Sequence, residues 1–140
     1  MIKSNELRIG NYLFMPFTSE NVKVTGLALK EEKTQVMYIQ SNFGTSQYFA
    51  LPEQYSPIEL TEELLLKFGF NTEYKKGYIG KDPEEACACD FVLSYPYRMG
   101  EWQTYFAWEF DNYKFQKLEY VHELQNLYFA LTGSELVFFN

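Results

Sequence analysis

Cysteine, histidine and arginine are scarce in this chain of 140 residues, which holds two cysteines, one histidine and two arginines. The cysteines, Cys87 and Cys89, lie one residue apart, too close for an ordinary disulfide between packed elements. A structural zinc site needs four ligands, usually as two close pairs, and the sequence offers one such pair. We therefore predict free thiols in a reducing cytoplasm, since no signal peptide is recognised at the start, and neither a metal site nor a cofactor.

Basic residues are also few, with 12 lysines and arginines against 19 aspartates and glutamates and a net charge of −7. They form no cluster that could neutralise several phosphates, which argues against ordinary nucleic-acid binding. No apolar run approaches the roughly 18 residues that a membrane-spanning helix needs. The sequence therefore predicts neither a nucleic-acid partner nor a membrane-spanning protein.

Catalytic signatures are missing as well. The phosphate-cradling patterns Gly-x-x-x-x-Gly-Lys-Ser/Thr and Gly-x-Gly-x-x-Gly do not occur in the sequence. The single histidine, His122, falls among the polar residues of a predicted helix, and neither a nucleophile nor an orienting group can be paired with it. We expect His122 to be exposed, and we predict a protein that is not an enzyme. Catalysis by His122 or by the cysteine pair is the weakest alternative.

Aromatic residues are abundant, at 19% of the chain with 13 phenylalanines and 12 tyrosines. Each ring buries about 150–250 Å², so the composition favours a core built from rings. Alternating residues separated by turn signals predict four or five short strands within the first 51 residues. Such spacing is typical of a small curled sheet or barrel of the SH3-like kind. The predicted strands are 6–14, 22–25, 27–29, 35–39 and 48–51.

The remaining chain predicts helices and an antiparallel sheet. Thr61 is a good N-cap for a helix that Gly69 ends. A hairpin over 70–79, a strand over 91–95 and the strict alternation of 102–110 follow. The order of strands, helix, strands and helix indicates an α+β fold with an antiparallel aromatic sheet. We predict one domain over 1–140, with a β-rich subdomain (1–51) and an α+β subdomain (58–140). The sheet is completed by a partner strand over 113–117 and by a last strand over 136–139.

The last quarter of the chain predicts a second helix that Gly133 terminates. Apolar residues recur there at three- and four-residue steps and are expected to form the buried face. They are Tyr120, Val121, Leu124, Leu127, Tyr128 and Leu131. Polar residues are expected on the opposite, solvent-facing side. They are Glu119, His122, Glu123, Gln125 and Asn126.

Three blocks of sequence occur in an order that resembles a known family. They are Leu-Arg-Ile-Gly-Asn-Tyr at 7–12, Leu-Thr-Glu-Glu-Leu-Leu-Leu-Lys-Phe-Gly-Phe at 60–70, and Tyr-Val-His-Glu-Leu-Gln-Asn-Leu-Tyr-Phe-Ala-Leu-Thr-Gly at 120–133. Together they resemble a family of small uncharacterised proteins of Bacteroidetes genomes, their phages and mobile elements. The resemblance does not extend over 71–112. It implies a bacterial or phage origin and a cytoplasmic location, and it assigns no activity and no residue role.

The segment 95–102 is the best candidate for binding. It combines the rings of Tyr95, Tyr97 and Trp102 with one of the two arginines, Arg98, beside turn residues. Tyrosine, tryptophan and arginine are the usual anchors of binding surfaces, and the planar guanidinium suits a phosphate or a carboxylate. We predict that this segment, with Tyr105, engages a host protein or a small ligand. The alternative is a hairpin whose rings merely cover the sheet.

The sequence thus predicts a non-enzymatic binding protein. Two other functions stay open as alternatives. The first is a sponge that sequesters a nucleotide-like signalling molecule and so inhibits host defence. It requires a pocket lined by rings and a few basic groups, which a homo-oligomer could build at a shared interface. The second is an acidic mimic of nucleic acid that occupies a basic host enzyme, with an affinity that salt would weaken.

Overall fold

The computed structural model describes two compact units of the chain. The first unit consists of Met1–Glu59 and Tyr120–Asn126, and the second of Leu60–Glu119 and Leu127–Asn140. The single domain predicted over the whole chain stays a prediction. The residues described are 2, 4–30, 33–40, 47–75, 78–81, 91–94, 97–98, 101–102, 106–110 and 114–138.

The first unit contains a four-stranded antiparallel sheet whose strands lie in chain order. Its strands are β1 (Tyr12–Met15), β2 (Glu20–Lys30), β3 (Lys33–Gln40) and β4 (Gln47–Ala50), and two short 3-10 helices, η1 (Ser4–Glu6) and η2 (Pro52–Gln54), flank them. The sequence predicted two short strands on either side of Gly26. The structure instead has one strand, β2, whose register shifts between Val24 and Gly26. A bulge lets the glycine interrupt the pairing without ending the strand.

The sheet of the first unit is open within the described residues, because β1 and β4 stand at the two ends of its strand order. A closed SH3-like barrel is therefore not shown, and the coarser α+β assignment stands. The edge of β1 forms one further bridge, in which the Phe14 amide donates to Ser56 O at 3.0 Å and the Ser56 amide to Phe14 O at 2.8 Å.

Alternation along the strands places apolar side chains in the core of the first unit. In β1, Leu13 and Met15 are buried while Tyr12 and Phe14 are half-buried. A fully buried aliphatic side chain contributes roughly 1.5–3 kcal/mol relative to an exposed one, so this small cluster is a main source of stability. The cluster consists of Ile2, Leu7, Leu13, Met15, Val22, Val24 and Tyr55.

The second unit contains a five-stranded antiparallel sheet and a separate two-stranded sheet. The strands are β5 (Asn71–Lys75), β6 (Tyr78–Lys81), β7 (Phe91–Ser94), β8 (Tyr97–Arg98), β9 (Glu101–Trp102), β10 (Phe106–Phe110) and β11 (Lys114–Leu118). The order of the larger sheet is β11-β10-β7-β6-β5, and β8 pairs with β9 in the smaller one. The hairpin predicted over 70–79 and the strand near 91–95 are confirmed, and so is the pairing of β10 with the segment that follows it. The single strand predicted over 102–110 is wrong at its start, because Trp102 lies in β9 of the smaller sheet.

Helix α1 (Glu62–Lys67) begins and ends where the sequence predicts. The hydroxyl of Thr61 accepts a hydrogen bond from the Leu64 amide, and Gly69 follows the helix with a φ of 81°. Phe68 is fully buried, and its ring stacks on Phe138 with centroids 4.3 Å apart. The last strand predicted over 136–139 is wrong for residues 136–138, which have no regular structure. Ring packing holds this segment in place of strand pairing.

Helix α2 (Val121–Thr132) ends at Gly133, which has the predicted left-handed conformation with a φ of 73°. Val121, Leu124 and Tyr128 are buried as expected. The expected exposure of His122 and Gln125 is wrong, because their exposed fractions are 2% and 0%. The expected burial of Leu131 is wrong too, at 43% exposure. Within the described residues, no helix combines the length and apolarity required to span a bilayer.

Candidate functional site

The predicted binding segment contains a short hairpin. Strands β8 and β9 pair with Tyr97 opposite Trp102 and Arg98 opposite Glu101, and they form a sheet of their own. Three of the five predicted site residues thus lie on two paired strands. The other two, Tyr95 and Tyr105, lie outside the described residues, as do Cys87 and Cys89.

A second polar site, which the sequence did not predict, lies in the first unit. It begins at a turn in which the Asn11 amide donates to Arg8 O at 3.1 Å. Gly10 occupies the third position of this turn with a φ of 99°, a conformation that side chains with a Cβ rarely adopt. The Asn11 side chain closes the same turn, since its Oδ1 accepts from the Arg8 amide at 2.6 Å. The turn thereby presents its backbone in a fixed shape.

Gln125 of α2 binds this turn much as a neighbouring strand would. Its Oε1 accepts from the Tyr12 amide at 2.8 Å, and its Nε2 donates to Gly10 O at 3.0 Å. Its exposed fraction of 0% means that water reaches neither of these bonds freely. Buried backbone groups without hydrogen-bond partners cost free energy. The amide side chain of Gln125 provides a partner for two such groups at once.

Asn126 extends the same contact. Its Oδ1 accepts from Asn11 Nδ2 at 2.9 Å and from Arg8 Nε at 3.3 Å, and its Nδ2 donates to Glu6 O at 2.7 Å. The Arg8 guanidinium also donates to Gln125 O at 3.4 Å. We call Arg8, Asn11, Gln125 and Asn126 the amide network. Every side-chain amide in it is hydrogen-bonded, so it holds the 6–12 segment against α2.

His122 lies one helical turn before Asn126 and is almost completely buried. Its Nδ1 is buried without a hydrogen-bond partner among the described residues, and its ring lies parallel to that of Tyr120 at 5.9 Å and 11°. Burial lowers the pKa of His122 below 6.5 and outweighs the carboxylates of Glu123 and Glu6, which raise it. The His122 side chain is therefore almost closed to solvent.

The polarity of its members explains why the sequence analysis missed this site. Glutamine and asparagine on an amphipathic helix are normally assigned to the solvent face. Their partners lie more than 100 positions away, with a separation of 115 residues for the Gln125–Gly10 bond. The four members of the amide network lie in the blocks 7–12 and 120–133, and no local pattern of the sequence links these two blocks.

No group of three or more histidine, cysteine, aspartate or glutamate side chains is close enough to hold a metal ion in the part of the chain that the structure describes. Comparisons with protein-family models, with curated proteins and with solved structures found no match to this chain.

Proposed function

We propose that this chain is a non-enzymatic binding protein of a phage or mobile element, working in the bacterial cytoplasm by occupying a host protein or a small ligand. The observation that supports this function is the β8–β9 hairpin. It sets Tyr97 opposite Trp102 and Arg98 opposite Glu101 in a sheet separate from the five-stranded one. Aromatic and arginine residues on a short hairpin suit recognition, because rings lose little conformational freedom and the guanidinium binds oxyanions in a fixed geometry.

The surroundings of His122 are consistent with a protein that is not an enzyme. A general base must come within hydrogen-bond reach of its substrate, and the only histidine is 2% exposed. We also retain the SH3-like comparison as a proposal for the curled sheet formed by β1 to β4.

The experiment is native mass spectrometry of the protein purified gently from a bacterial lysate. The wild-type chain should carry an added mass, and Arg98→Ala and Trp102→Ala should each lose it. Phe17→Ala is the matched control, because Phe17 is an aromatic residue with 96% exposure in the turn between β1 and β2, outside the hairpin. The control should keep the added mass.

The identity of the added mass separates the candidate partners. A protein supports occupation of a host factor, whereas a constant small mass supports the sponge for a nucleotide-like molecule. Retention of the added mass by both hairpin variants would remove the site assignment. A bare wild-type chain would contradict tight binding altogether.

The acidic mimic is the second candidate, and the net charge of −7 is the observation that favours it. Exposed charges interact over a Debye length of about 8 Å at physiological salt and about 3 Å at 1 M. A partner held mainly by charge should therefore dissociate as salt rises. A partner held by the hairpin rings should stay bound under the same salt, which distinguishes the two functions.

A further inference from the structure

His122 occupies a position that suits only its neutral form. It is the second residue of α2, where the partial positive charge of the helix N-terminus disfavours a cation. Its Nδ1 is buried with no hydrogen-bond partner among the described residues. An imidazolium carries two N–H donors, so protonation would place a charge and an unsatisfied donor in this enclosure.

Two carboxylates act on His122 from the elements around it. Glu6 belongs to η1 in the N-terminal segment, and Glu123 is the next residue on α2 itself. Glu123 is also engaged at the start of the helix, where its Oε2 accepts from the Tyr120 amide at 3.1 Å. Both charges favour the imidazolium, yet burial outweighs them and keeps the pKa of His122 below its ordinary value of 6.5.

The N-terminal segment is attached to the same side of α2. Residues four apart on a helix are neighbours on one face, and Asn126 lies four residues after His122. Asn126 Nδ2 donates to Glu6 O, the backbone of the residue whose side chain acts on His122. Separation of this segment from the helix would carry the Glu6 backbone and carboxylate away from the His122 side of α2.

We propose that His122 is a proton-sensitive lock, in which the neutral imidazole permits docking of segment 4–12 on α2 and its protonation releases that segment. The sign follows from linkage. In the released state His122 has a pKa near 6.5, and in the docked state a lower one, so release takes up a proton. Docking is most stable above pH 6.5 and weakens as the pH falls from there through the docked pKa.

The presence of one histidine makes the test direct, because a single Hε1 resonance reports on it without assignment. We expect this resonance to hold the neutral shift through pH 6.5 and to titrate below it. Hydrogen exchange of the Tyr12 amide, which is bonded to Gln125 Oε1, reports on docking. Its protection factor should fall by up to about tenfold per pH unit in the same range. The Phe70 amide, bonded to Leu65 O in the second unit, is the internal control and should show no such fall.

His122→Phe keeps the stacked ring and removes the titration, so protection of the Tyr12 amide should be independent of pH over this range. Glu6→Gln, at an exposed residue, tests the lock without altering a buried side chain. Loss of this carboxylate should move the Hε1 midpoint to lower pH. A wild-type midpoint at or above 6.5, or an equal loss of protection in His122→Phe, would overturn the proposal. So would a Glu6→Gln midpoint that stays in place.

Discussion

Gln125→Leu should destabilise the protein strongly although it introduces an apolar residue into a buried position. The leucine would leave the Tyr12 N–H and the Gly10 carbonyl without their partners, which now lie 2.8 and 3.0 Å away. Each orphaned buried group costs about 1–3 kcal/mol, and the leucine recovers about 1–2 kcal/mol of transfer free energy. The two groups cost about 4 kcal/mol at the middle of that range, and the leucine recovers about 1.5 kcal/mol, so the net loss in free energy of unfolding should be about 2.5 kcal/mol.

Urea denaturation followed by circular dichroism measures this loss, and thermal melting gives a second value. At about 4 °C per kcal/mol for a chain of this size, Tm should fall by about 10 °C. Gln54→Leu is the matched control, because Gln54 is exposed and accepts one bond, from the Leu51 amide at 2.8 Å. Water can replace that bond, so the control should lose less than about 1 kcal/mol.

Gln125→Glu tests the same contact with a side chain of nearly the same shape as glutamine. One carboxylate oxygen can still accept from the Tyr12 N–H, but the other faces the Gly10 carbonyl, so two acceptors meet in a buried place. Burial and this repulsion raise the pKa of the introduced carboxyl above the ordinary value of about 4.3. Its protonated form can donate to Gly10 O. The deficit relative to wild type should therefore be large at pH 7 and shrink as the pH falls through the raised pKa.

One result would refute the reasoning about Gln125. Ordinary surface substitutions change the free energy of unfolding by no more than about 0.5 kcal/mol. If the free energy of unfolding of Gln125→Leu lies within that distance of the wild-type value, the two backbone groups do not depend on this side chain. Protection of the Tyr12 amide gives an independent measurement in the same variant. A stability loss with unchanged protection at Tyr12 would place the damage elsewhere than in this contact.

Three smaller effects should be measurable by the same urea titrations. Thr61→Ala removes the acceptor of the Leu64 amide and should cost about 1 kcal/mol, whereas Thr61→Ser should restore it. Gly133→Ala should cost roughly 1–2 kcal/mol through its φ of 73° alone, since an added Cβ meets nothing within 4 Å. Glu63→Gln breaks the exposed pair with Lys67 and should change stability by less than about 0.5 kcal/mol, with the difference vanishing in high salt.

The helix ends and most strands could be predicted because their signals are local. A threonine cap at Thr61 and the glycines Gly69 and Gly133 act within a few residues, and the structure gives both helices the predicted ends. Alternation over 102–110 located β10, and the turn residues after it located the partner strand β11, although Trp102 lies in β9 of the separate sheet. The sequence predicts a break between two strands at Gly26, where the structure has a bulge within β2. A glycine inside a strand is typical of both features, and only the pairing of β2 with β3 distinguishes them.

Burial of polar side chains could not be predicted in the same way. Helical spacing sorts residues into faces by their polarity, which assumes that the polar face meets water. His122 and Gln125 violate that assumption, since both are buried, Gln125 against the backbone of Gly10 and Tyr12. An amide can take such a position at little loss if its oxygen and its nitrogen both find partners, as those of Gln125 do. The Nδ1 atom of His122 has no hydrogen-bond partner among the described residues, so the cost of burying this side chain depends on its protonation state.

The amide network also bears on the family resemblance suggested by the sequence, which stays a prediction. Two of its three blocks, 7–12 and 120–133, supply opposite halves of one contact: a turn with buried backbone groups and a helix with the amides that satisfy them. A turn of this shape without those amides would leave its backbone groups unpaired, so the two blocks depend on each other physically. Proteins that share both would share this docking, which is a structural property and not an activity. The binding proposal therefore depends on the hairpin at Tyr97–Arg98 and Glu101–Trp102, which lies in the part of the chain that the resemblance does not cover.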